Sequence, residues 1–387
     1  MRSLPSLRPI AVAALLVGLT ARAGFGGPSP DTGTSSDRCG TCHRDIWKMW
    51  RGSAHANAAS DPVFLAANRD ALALGGQAVS RVCLGCHAPV TGWNSDWGLE
   101  KAITTEGVGC DVCHRIEGAE VDGGRPRIHY GPAAVKRGPI ADAESPEHEV
   151  AHSPLHQEGL VCAGCHEYAN AQGTPIMTTY SEWQASQAQS RGQSCQDCHM
   201  NRVTADVVDP QVMRSPETKV NLHAVPGGHS IEQLNRALGL GVDFERQADS
   251  LAVLIDLKNR GAGHAVPTGM PGRRVILEVT LRTQQGKSFE ARRVYTRAFL
   301  DGSGAPIERD SGFFAPGVKA GEDSRIRPDE IRHEVFHFPV PPESSAQLTV
   351  RLRYEHAPTA DQADWTMLTF ASETRMVRAS RRPEGAR

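Results

Sequence analysis

The sequence predicts two structural parts in one chain: a mainly helical and loop-rich part organised around covalently bound groups, and an antiparallel β-sandwich after it. Three observations predict this division. Ten cysteines fall in closely spaced pairs before residue 200, and the helix signals among them are short and broken by glycine and proline. Beyond residue 246, apolar residues alternate with polar ones over several runs, which is typical of strands.

The composition is that of a globular chain. Hydrophobic residues make up 39% of the 387 positions, which excludes disorder of the whole chain. The formal net charge is −2, so no basic surplus exists that would attract nucleic acid. Aromatic residues reach only 5%, which is few for this length. Either the core consists mainly of aliphatic side chains, or a bound group that is large, flat and apolar fills the volume that aromatic side chains would otherwise occupy.

The N-terminus reads as a signal peptide over residues 1–23. Two arginines precede an apolar run over residues 10–20, and residues 21–23 have the small-x-small form of a cleavage site. The alternative is an uncleaved membrane anchor, but the run is shorter than the roughly 20 apolar residues that a spanning helix needs. We therefore expect a periplasmic or otherwise extracytoplasmic protein with no membrane anchor after cleavage. Residues 24–37, rich in Gly, Ser and Pro, predict a flexible leader.

Each cysteine pair is followed at once by a histidine, which gives five copies of CxxCH with no cysteine left over. In this motif the two thiols bind the vinyl groups of a haem, and the histidine becomes the proximal ligand of its iron. The sequence therefore predicts five covalently bound haem c groups. The cysteines are Cys39, Cys42, Cys83, Cys86, Cys110, Cys113, Cys162, Cys165, Cys195 and Cys198, and the proximal histidines are His43, His87, His114, His166 and His199.

Zinc and disulfides are the alternatives for these cysteines. All-cysteine zinc sites use pairs two at a time, and five pairs would leave one over. Zinc also gives no reason for a histidine after every pair. A disulfide within CxxC would close only a very small loop and stabilise little.

The second axial ligand decides what each haem does, because a haem with two histidines is saturated and an open position admits a substrate. Eleven of the 16 histidines lie outside the motifs. His55 follows the first motif on a predicted helix, so it suits a neighbouring haem. His223 and His229 flank a Pro-Gly-Gly turn, and His264 lies in a Gly- and Pro-rich loop that allows close approach. At most one or two of the histidines in the 148–156 segment can be ligands.

Several other polar residues could have a role at a haem or could be ordinary surface or sheet residues. Arg273 and Arg274 could pair with haem propionates through their planar guanidinium groups, or could be ordinary surface residues. His333, His337 and His356 fall in or near predicted strands, where ordinary sheet positions explain them better.

The N-terminal part is predicted to extend over residues 38–246, with short helices at Asp45–Ala56 and Pro62–Leu74. Asp61 suits the N-cap of the second helix and Pro62 its first position. The segment from Trp183 to Ala188 echoes the one from Trp50 to His55, but it has Ala188 where the first has His55. This difference is a hint of a missing distal ligand.

The C-terminal part is predicted over residues 247–375 as the β-sandwich, with a tail over residues 376–387. Its apolar residues alternate with polar ones, and turn residues separate the runs, which indicates antiparallel strands. The runs begin at Leu251, Val275, Phe336 and Leu348. This part would cover one end of the haem array and contribute His264.

At its motifs the chain resembles the exported multihaem cytochromes related to cytochrome c-554, a superfamily that also contains hydroxylamine oxidoreductase and the multihaem nitrite reductases. The resemblance covers roughly residues 39–280 and implies closely stacked, mostly bis-histidine haems whose distal ligands come from distant segments. It favours His148 over its two neighbours. The number of motifs differs from cytochrome c-554 and hydroxylamine oxidoreductase, and no counterpart of the catalytic tyrosine cross-link of the latter is found. The matching stretches are Cys39-Gly-Thr-Cys-His43 with Trp50-x-x-Ser53-x-His55, Glu106-Gly-Val-Gly-Cys110-Asp-Val-Cys-His114, Tyr180-x-x-Trp183-x-x-Ser186 before Cys195-Gln-Asp-Cys-His-Met200, His223 with His229, and Gly263-His264-x-x-Pro267-Thr-Gly269.

The sequence thus predicts an exported pentahaem c-type cytochrome that conducts electrons between a redox donor and acceptor, neither of which it identifies. The alternative is a multihaem oxidoreductase in which one five-coordinate haem acts on a small nitrogen or sulfur species. A third possibility is a structural subunit of a larger extracellular electron conduit. No catalytic residue is identified.

Overall fold

The computed structural model describes residues 33–380. The predicted signal peptide, most of the predicted leader and the end of the predicted tail lie outside the described residues. Between residues 33 and 380, no helix combines the length and the apolar character needed to cross a membrane.

The N-terminal part is built of short helices joined by turns, and motif residues occupy the helix ends. In four of the five motifs the histidine is the last residue of a helix, while His43 caps the start of α2. The helices are α1 Ser36–Gly40, α2 Arg44–Arg51, α3 Pro62–His87, α4 Thr91–Asn94, α5 Ala102–Thr105, α6 Cys110–His114, α7 Leu160–His166, α8 Thr179–Gln184, α9 Gln187–Ser190, α10 Cys195–His199 and α11 Ile231–Ala237, with 3-10 turns at Pro154–Gln157, Asp310–Phe314 and Gln362–Asp364.

The longest helix, α3, begins as its sequence predicts. The Asp61 carboxylate accepts hydrogen bonds from the backbone N–H groups of Val63 and Phe64, at 2.9 and 3.1 Å, and Pro62 is the first residue. The helix passes the predicted end at Leu74 through a break at Gly76, whose φ of 65° favours glycine. A second helical stretch then continues to the second motif.

Most strands in the N-terminal part form two-stranded sheets, whereas most strands of the C-terminal part belong to two larger antiparallel sheets. The larger sheets have the strand orders β9-β10-β15 and β12-β11-β16-β17, and the small sheets pair β1 with β2, β3 with β4, β5 with β6, β7 with β8 and β13 with β14. The strands are β1 Ile116–Asp122, β2 Arg125–Tyr130, β3 Val135–Gly138, β4 Glu149–His152, β5 Glu167–Ala169, β6 Pro175–Thr178, β7 Arg202–Ala205, β8 Thr218–Asn221, β9 Leu238–Arg246, β10 Leu251–Asn259, β11 Arg273–Thr283, β12 Ser288–Tyr295, β13 Arg297–Leu300, β14 Lys319–Asp323, β15 Ile331–Phe338, β16 Ala346–His356 and β17 Thr366–Val377.

The two larger sheets contribute to one hydrophobic core. The alternating residues of β10, β11 and β16 are buried and belong to the same cluster, among them Leu257, Leu277 and Leu352 with no exposed surface. Burial of these aliphatic side chains is the main stabilising contribution in this part of the chain.

Two element boundaries differ from the predicted domain limits. The strand β9 ends at Arg246, before the predicted start of the C-terminal part, yet it pairs with β10 along its length. At the other end, β17 reaches Val377, which is fully buried and lies inside the predicted tail. In both cases strand pairing continues past the polar residues that suggested a boundary.

The N-terminal part has little apolar core of its own. Its cluster contains only Ala59, Phe64, Leu84 and Ala88 as buried members. A third cluster, which includes Ile176 of β6 and Phe313 of the 3-10 turn, packs the two parts together. The Asp70 carboxylate of α3 adds a polar link, with Arg309 at 3.1 Å and the Ser311 hydroxyl at 2.5 Å.

Candidate functional site

The N-terminal part surrounds a cavity of about 2810 Å³, which the C-terminal part closes on one side. Pockets for a single small ligand are about 300–1,000 Å³, so this cavity has room for several large groups. The two cysteines and the histidine of every motif line it. The N-terminal part therefore has a large cavity around its motifs and only a small apolar core.

The motif cysteines are all free thiols, and several are near cysteines of another motif. Cys39 and Cys110 are close enough to act on each other's pKa, and so are Cys86 and Cys165, and Cys162 of the fourth motif with Cys195 of the fifth. These contacts bring the attachment points of different motifs together. Burial raises the pKa of Cys83 to about 12, so this thiol is neutral at pH 7 in the unattached chain.

Four of the motif histidines face a second imidazole across the cavity. A metal midway between two ring nitrogens, with bonds of about 2 Å to each, puts the ring centres roughly 6 Å apart. The observed distances fit this requirement. The pairs and the distances between ring centroids are His43 with His148 at 6.4 Å, His166 with His55 at 6.3 Å, His114 with His223 at 6.3 Å, and His199 with His264 at 6.4 Å.

Backbone carbonyls fix the orientation of most of these rings. When Nδ1–H donates to a carbonyl, Nε2 is left free to bind a metal, which is the usual arrangement of a histidine ligand. Such bonds join the Nδ1 atoms of His43, His87, His114, His199, His148, His223 and His264 to the carbonyls of Val207, Ala58, Arg137, Pro226, Glu149, Asn221 and Ala265, respectively, at 2.6–3.1 Å.

His114 has two histidine neighbours, and their hydrogen bonds distinguish them. The ring of His156 lies 5.8 Å from His114, but its Nδ1 bonds the Ser153 hydroxyl at 2.9 Å and its Nε2 donates to the Cys113 carbonyl at 3.0 Å. Both nitrogens are therefore used. Burial lowers the pKa of His156 to about 4, which keeps the ring neutral. His223 is thus the neighbour with a nitrogen available to a metal.

The fifth motif histidine, His87, has a different environment. Its ring stacks on Phe64, with centroids 4.1 Å apart and planes within 8°. Among residues 33–380, no imidazole faces it as in the other four pairs. The predicted distal candidate His229 lines the cavity near Arg273 and Asp61, and the histidine ring contacts of the described residues do not include it. Four of the five predicted distal candidates are thus brought against motif histidines, and His229 is not.

The predicted hint of a missing ligand at Ala188 has another explanation. A Cβ atom on Gly263 would lie 2.9 Å from the Ala188 side chain and 3.0 Å from Trp183. The loop that carries His264 therefore packs directly on Ala188, so a larger side chain at position 188 would meet this loop. His87 is the motif histidine without a facing imidazole. His199, the motif histidine that follows this echo in the sequence, faces His264.

The cavity also separates the remaining candidates. His129, His152, His333 and His337 do not line it, whereas His356 does, with its Nε2 at 2.8 Å from the Asp310 carboxylate. His356 is the last residue of β16, as its interpretation as a sheet residue expects, and it also lines the cavity.

The two neighbouring arginines point to different environments. Arg273 lines the cavity, whereas Arg274 bonds Glu355 at 3.2 Å and stacks on Trp365. Asp310 was not predicted at all, because no motif surrounds it.

Within residues 33–380, no three His, Cys, Asp or Glu side chains form a group that could hold a bare metal ion. A metal carried in a macrocycle needs only two protein ligands, one on each face, and the facing histidine pairs supply two. The donor set therefore fits haem iron: thiols for attachment, imidazoles for ligation and a wide space between them.

Comparisons with known proteins support the class of multihaem c-type cytochromes. Residues 38–115, which contain the first three motifs, match the family model described as cytochrome c554 and c-prime. The whole fold is similar to the crystal structure of a penta-heme cytochrome c552 from Thermochromatium tepidum. That likeness has a TM-score of 0.68 and 21% identity over 90% of this chain and 100% of the other. No curated protein matches.

Together they support a multihaem cytochrome fold, with the match to the family model confined to the first three motifs.

Proposed function

We propose that this chain is an exported pentahaem cytochrome that carries electrons between redox partners through closely packed, mostly bis-histidine haems. The observation that carries the proposal is the set of four facing histidine pairs at 6.3–6.4 Å inside one cavity. Two imidazoles saturate an iron, which suits electron transfer rather than substrate binding. When bound, haem would supply the reversible one-electron chemistry.

The number of haems is proposed from the motifs. All five line the same cavity, and the similar Thermochromatium tepidum structure is described as penta-heme. Each motif brings its own pair of thiols and its own histidine, so no two motifs compete for one attachment site.

The contacts between motifs support a continuous path for electrons. Thiols of the first and third motifs, of the second and fourth, and of the fourth and fifth are close enough to act on each other's pKa. The thiol of Cys113 in the third motif is also close enough to act on the pKa of Cys162 and Cys165 in the fourth. The five attachment sites therefore form one connected network with no isolated member.

Export and the form of the C-terminal part complete the proposal. Residues 1–23 would direct the chain to the extracytoplasmic compartment, and residues 247–375 would form a β-sandwich. The shared core of the two larger antiparallel sheets supports the second statement. This part closes one side of the cavity and supplies His264 through its β10–β11 loop.

A second candidate function is favoured by His87. Four motif histidines face an imidazole and His87 faces none, which leaves the opposite side of its metal site for another ligand. The chain would then be an oxidoreductase that acts on a small nitrogen or sulfur species at this position. The other four haems would relay electrons to or from it.

One set of measurements tests both candidates. Haem is counted by the pyridine haemochromogen assay, and the oxidised holoprotein is examined by low-temperature electron paramagnetic resonance. The carrier proposal requires five haems, at least four of them low-spin, and fast reduction by a generic donor without turnover of nitrite or hydroxylamine. A high-spin signal near one haem equivalent, with sustained turnover of either compound, would replace it with the enzyme. Fewer than five haems would refute the proposed number.

A further inference from the structure

Three polar side chains at the C-terminal side of the cavity, Arg273, Asp310 and His356, form a group that we call the Arg273 cluster. All three line the cavity. Asp310 is only 5% exposed, and its Oδ2 accepts a hydrogen bond from His356 at 2.8 Å. Its second oxygen, Oδ1, is buried without a hydrogen-bond partner, and so is the Nε of Arg273. An unpaired buried acceptor and an unpaired buried donor are both costly, so they indicate a missing ligand.

The Arg273 side chain is held in place by the loop before it. Its Nη1 donates to the Thr268 carbonyl at 3.1 Å. A Cβ on Gly269 would lie 2.6 Å from Nη1, and φ at Gly269 is 88°, so a side chain there would displace the guanidinium. The arginine is therefore positioned by the fold rather than free on the surface.

The Arg273 cluster is near the motif histidine that has no facing imidazole. Burial is the main cause that lowers the pKa of His87, and all three members of the cluster also influence that pKa: Arg273 and His356 lower it, and Asp310 raises it. The Asp310 charge also acts on Cys83 of the same motif. The geometry agrees, because Arg309 and Ser311, on either side of Asp310, bond Asp70 of α3, the helix that ends at His87. The cluster therefore lies beside the second motif, and Arg273 also acts on the pKa of His166 in the fourth.

We propose that the Arg273 cluster selects a small ligand that both accepts and donates hydrogen bonds, such as a neutral molecule with N–H or O–H groups, over an acceptor-only anion. Arg273 would donate through Nε to a lone pair of the ligand, and Asp310 would accept an N–H or O–H at Oδ1. An anion could use Arg273 but would be repelled by the carboxylate. His356 is a positioning residue, because its hydrogen bond to Oδ2 holds the Asp310 carboxylate and leaves Oδ1 for the ligand. This inference rests on the open position at the second motif.

The test compares two iron ligands of opposite hydrogen-bonding character in the five-haem holoprotein. Hydrazine, used at a pH where it is neutral, donates and accepts, and azide only accepts. Affinities are measured by rapid-mixing optical titration of the ferric protein, before any slower reduction. Carbon monoxide binding to the reduced protein reports independently whether a position is open.

The variants are Arg273→Gln and Asp310→Asn, with Arg274→Gln as the matched control. Arg273→Gln is expected to weaken both probes about tenfold, because a charge-assisted donor is lost. Asp310→Asn can keep the bond to His356 through its amide oxygen and present N–H donors at the former Oδ1 position. It should weaken hydrazine about tenfold and strengthen azide. Arg274→Gln should change neither affinity, because its guanidinium lies with Glu355 and Trp365.

The outcomes distinguish a protein with no open position from one whose open position does not select ligands through the Arg273 cluster. If the wild-type protein binds neither carbon monoxide nor the probes, the open position fails and this inference fails with it. If carbon monoxide binds but Asp310→Asn leaves the ratio of hydrazine to azide affinity unchanged, this inference alone is overturned. If Arg273→Gln shifts a reduction potential while both affinities stay constant, Arg273 pairs with a haem propionate and the inference is also overturned.

Discussion

Replacing His223 or His156 by alanine distinguishes two histidines that lie beside the same motif histidine. Their rings are 6.3 and 5.8 Å from His114, so distance alone does not separate them. Only His223 has a nitrogen that is not engaged in a hydrogen bond. We therefore expect His223→Ala to remove an axial ligand and His156→Ala to leave ligation intact.

The expected magnitudes follow from the structure. His223→Ala opens one of the four facing pairs, so one haem, about a fifth to a quarter of the low-spin ferric signal, should become high-spin. His156→Ala removes two hydrogen bonds and a stacked ring, and should lower the free energy of unfolding by about 1–3 kcal/mol. Its low-spin signal should equal that of the wild type.

Low-temperature electron paramagnetic resonance of the two oxidised variants, prepared with equal haem content, measures the spin change directly. Thermal unfolding of His156→Ala gives the stability change. A high-spin signal in His156→Ala with none in His223→Ala would refute the hydrogen-bond argument, because the supposedly engaged ring would then be the ligand.

Two further predictions concern other contacts. His264→Ala should convert one haem from low-spin to high-spin, because its ring faces His199. His229→Ala should leave the spin count unchanged, because no ring contact joins His229 to a motif histidine. A wild-type spectrum in His264→Ala would remove His264 from the ligands. Asp70→Ala should lower the free energy of unfolding by about 1–3 kcal/mol, because it breaks the link to Arg309 and Ser311. Asp45→Ala is its control, since the ion pair of Asp45 with Lys48 is exposed and worth only about 0–1 kcal/mol. Equal melting temperatures for these two variants would show that the link does not stabilise the fold.

The sequence predicts the attachment sites because CxxCH is a local pattern, complete within five residues. The capped start of α3 is also local, and the structure has it as predicted. The alternation of apolar and polar residues in β10, β11 and β16 is also a local pattern, and it predicts these strands for the same reason. The strand β9 carries a similar alternation, Leu238, Leu240, Val242 and Phe244, but the glycines between its first apolar residues obscured it.

The pairing of histidines depends on tertiary distances that no local pattern records. His156 and His223 both occur in polar, turn-rich sequence, and only the carbonyl of Cys113 on one ring nitrogen separates them. Asp310 and Arg273 are distant in sequence and meet only because the C-terminal part closes the cavity. Such positions require the fold before their chemistry can be recognised.

The facing histidines also bear on how the chain holds together. His43 and His148 are about a hundred residues apart, and the same is true of His55 and His166. Joining such distant segments through one metal would act as a cross-link, which restricts the unfolded chain most when the closed loop is long. A polypeptide with a small apolar core in this region would then owe much of its cohesion to its metal bonds. Losing one distal ligand would loosen a loop of the chain as well as alter a spectrum.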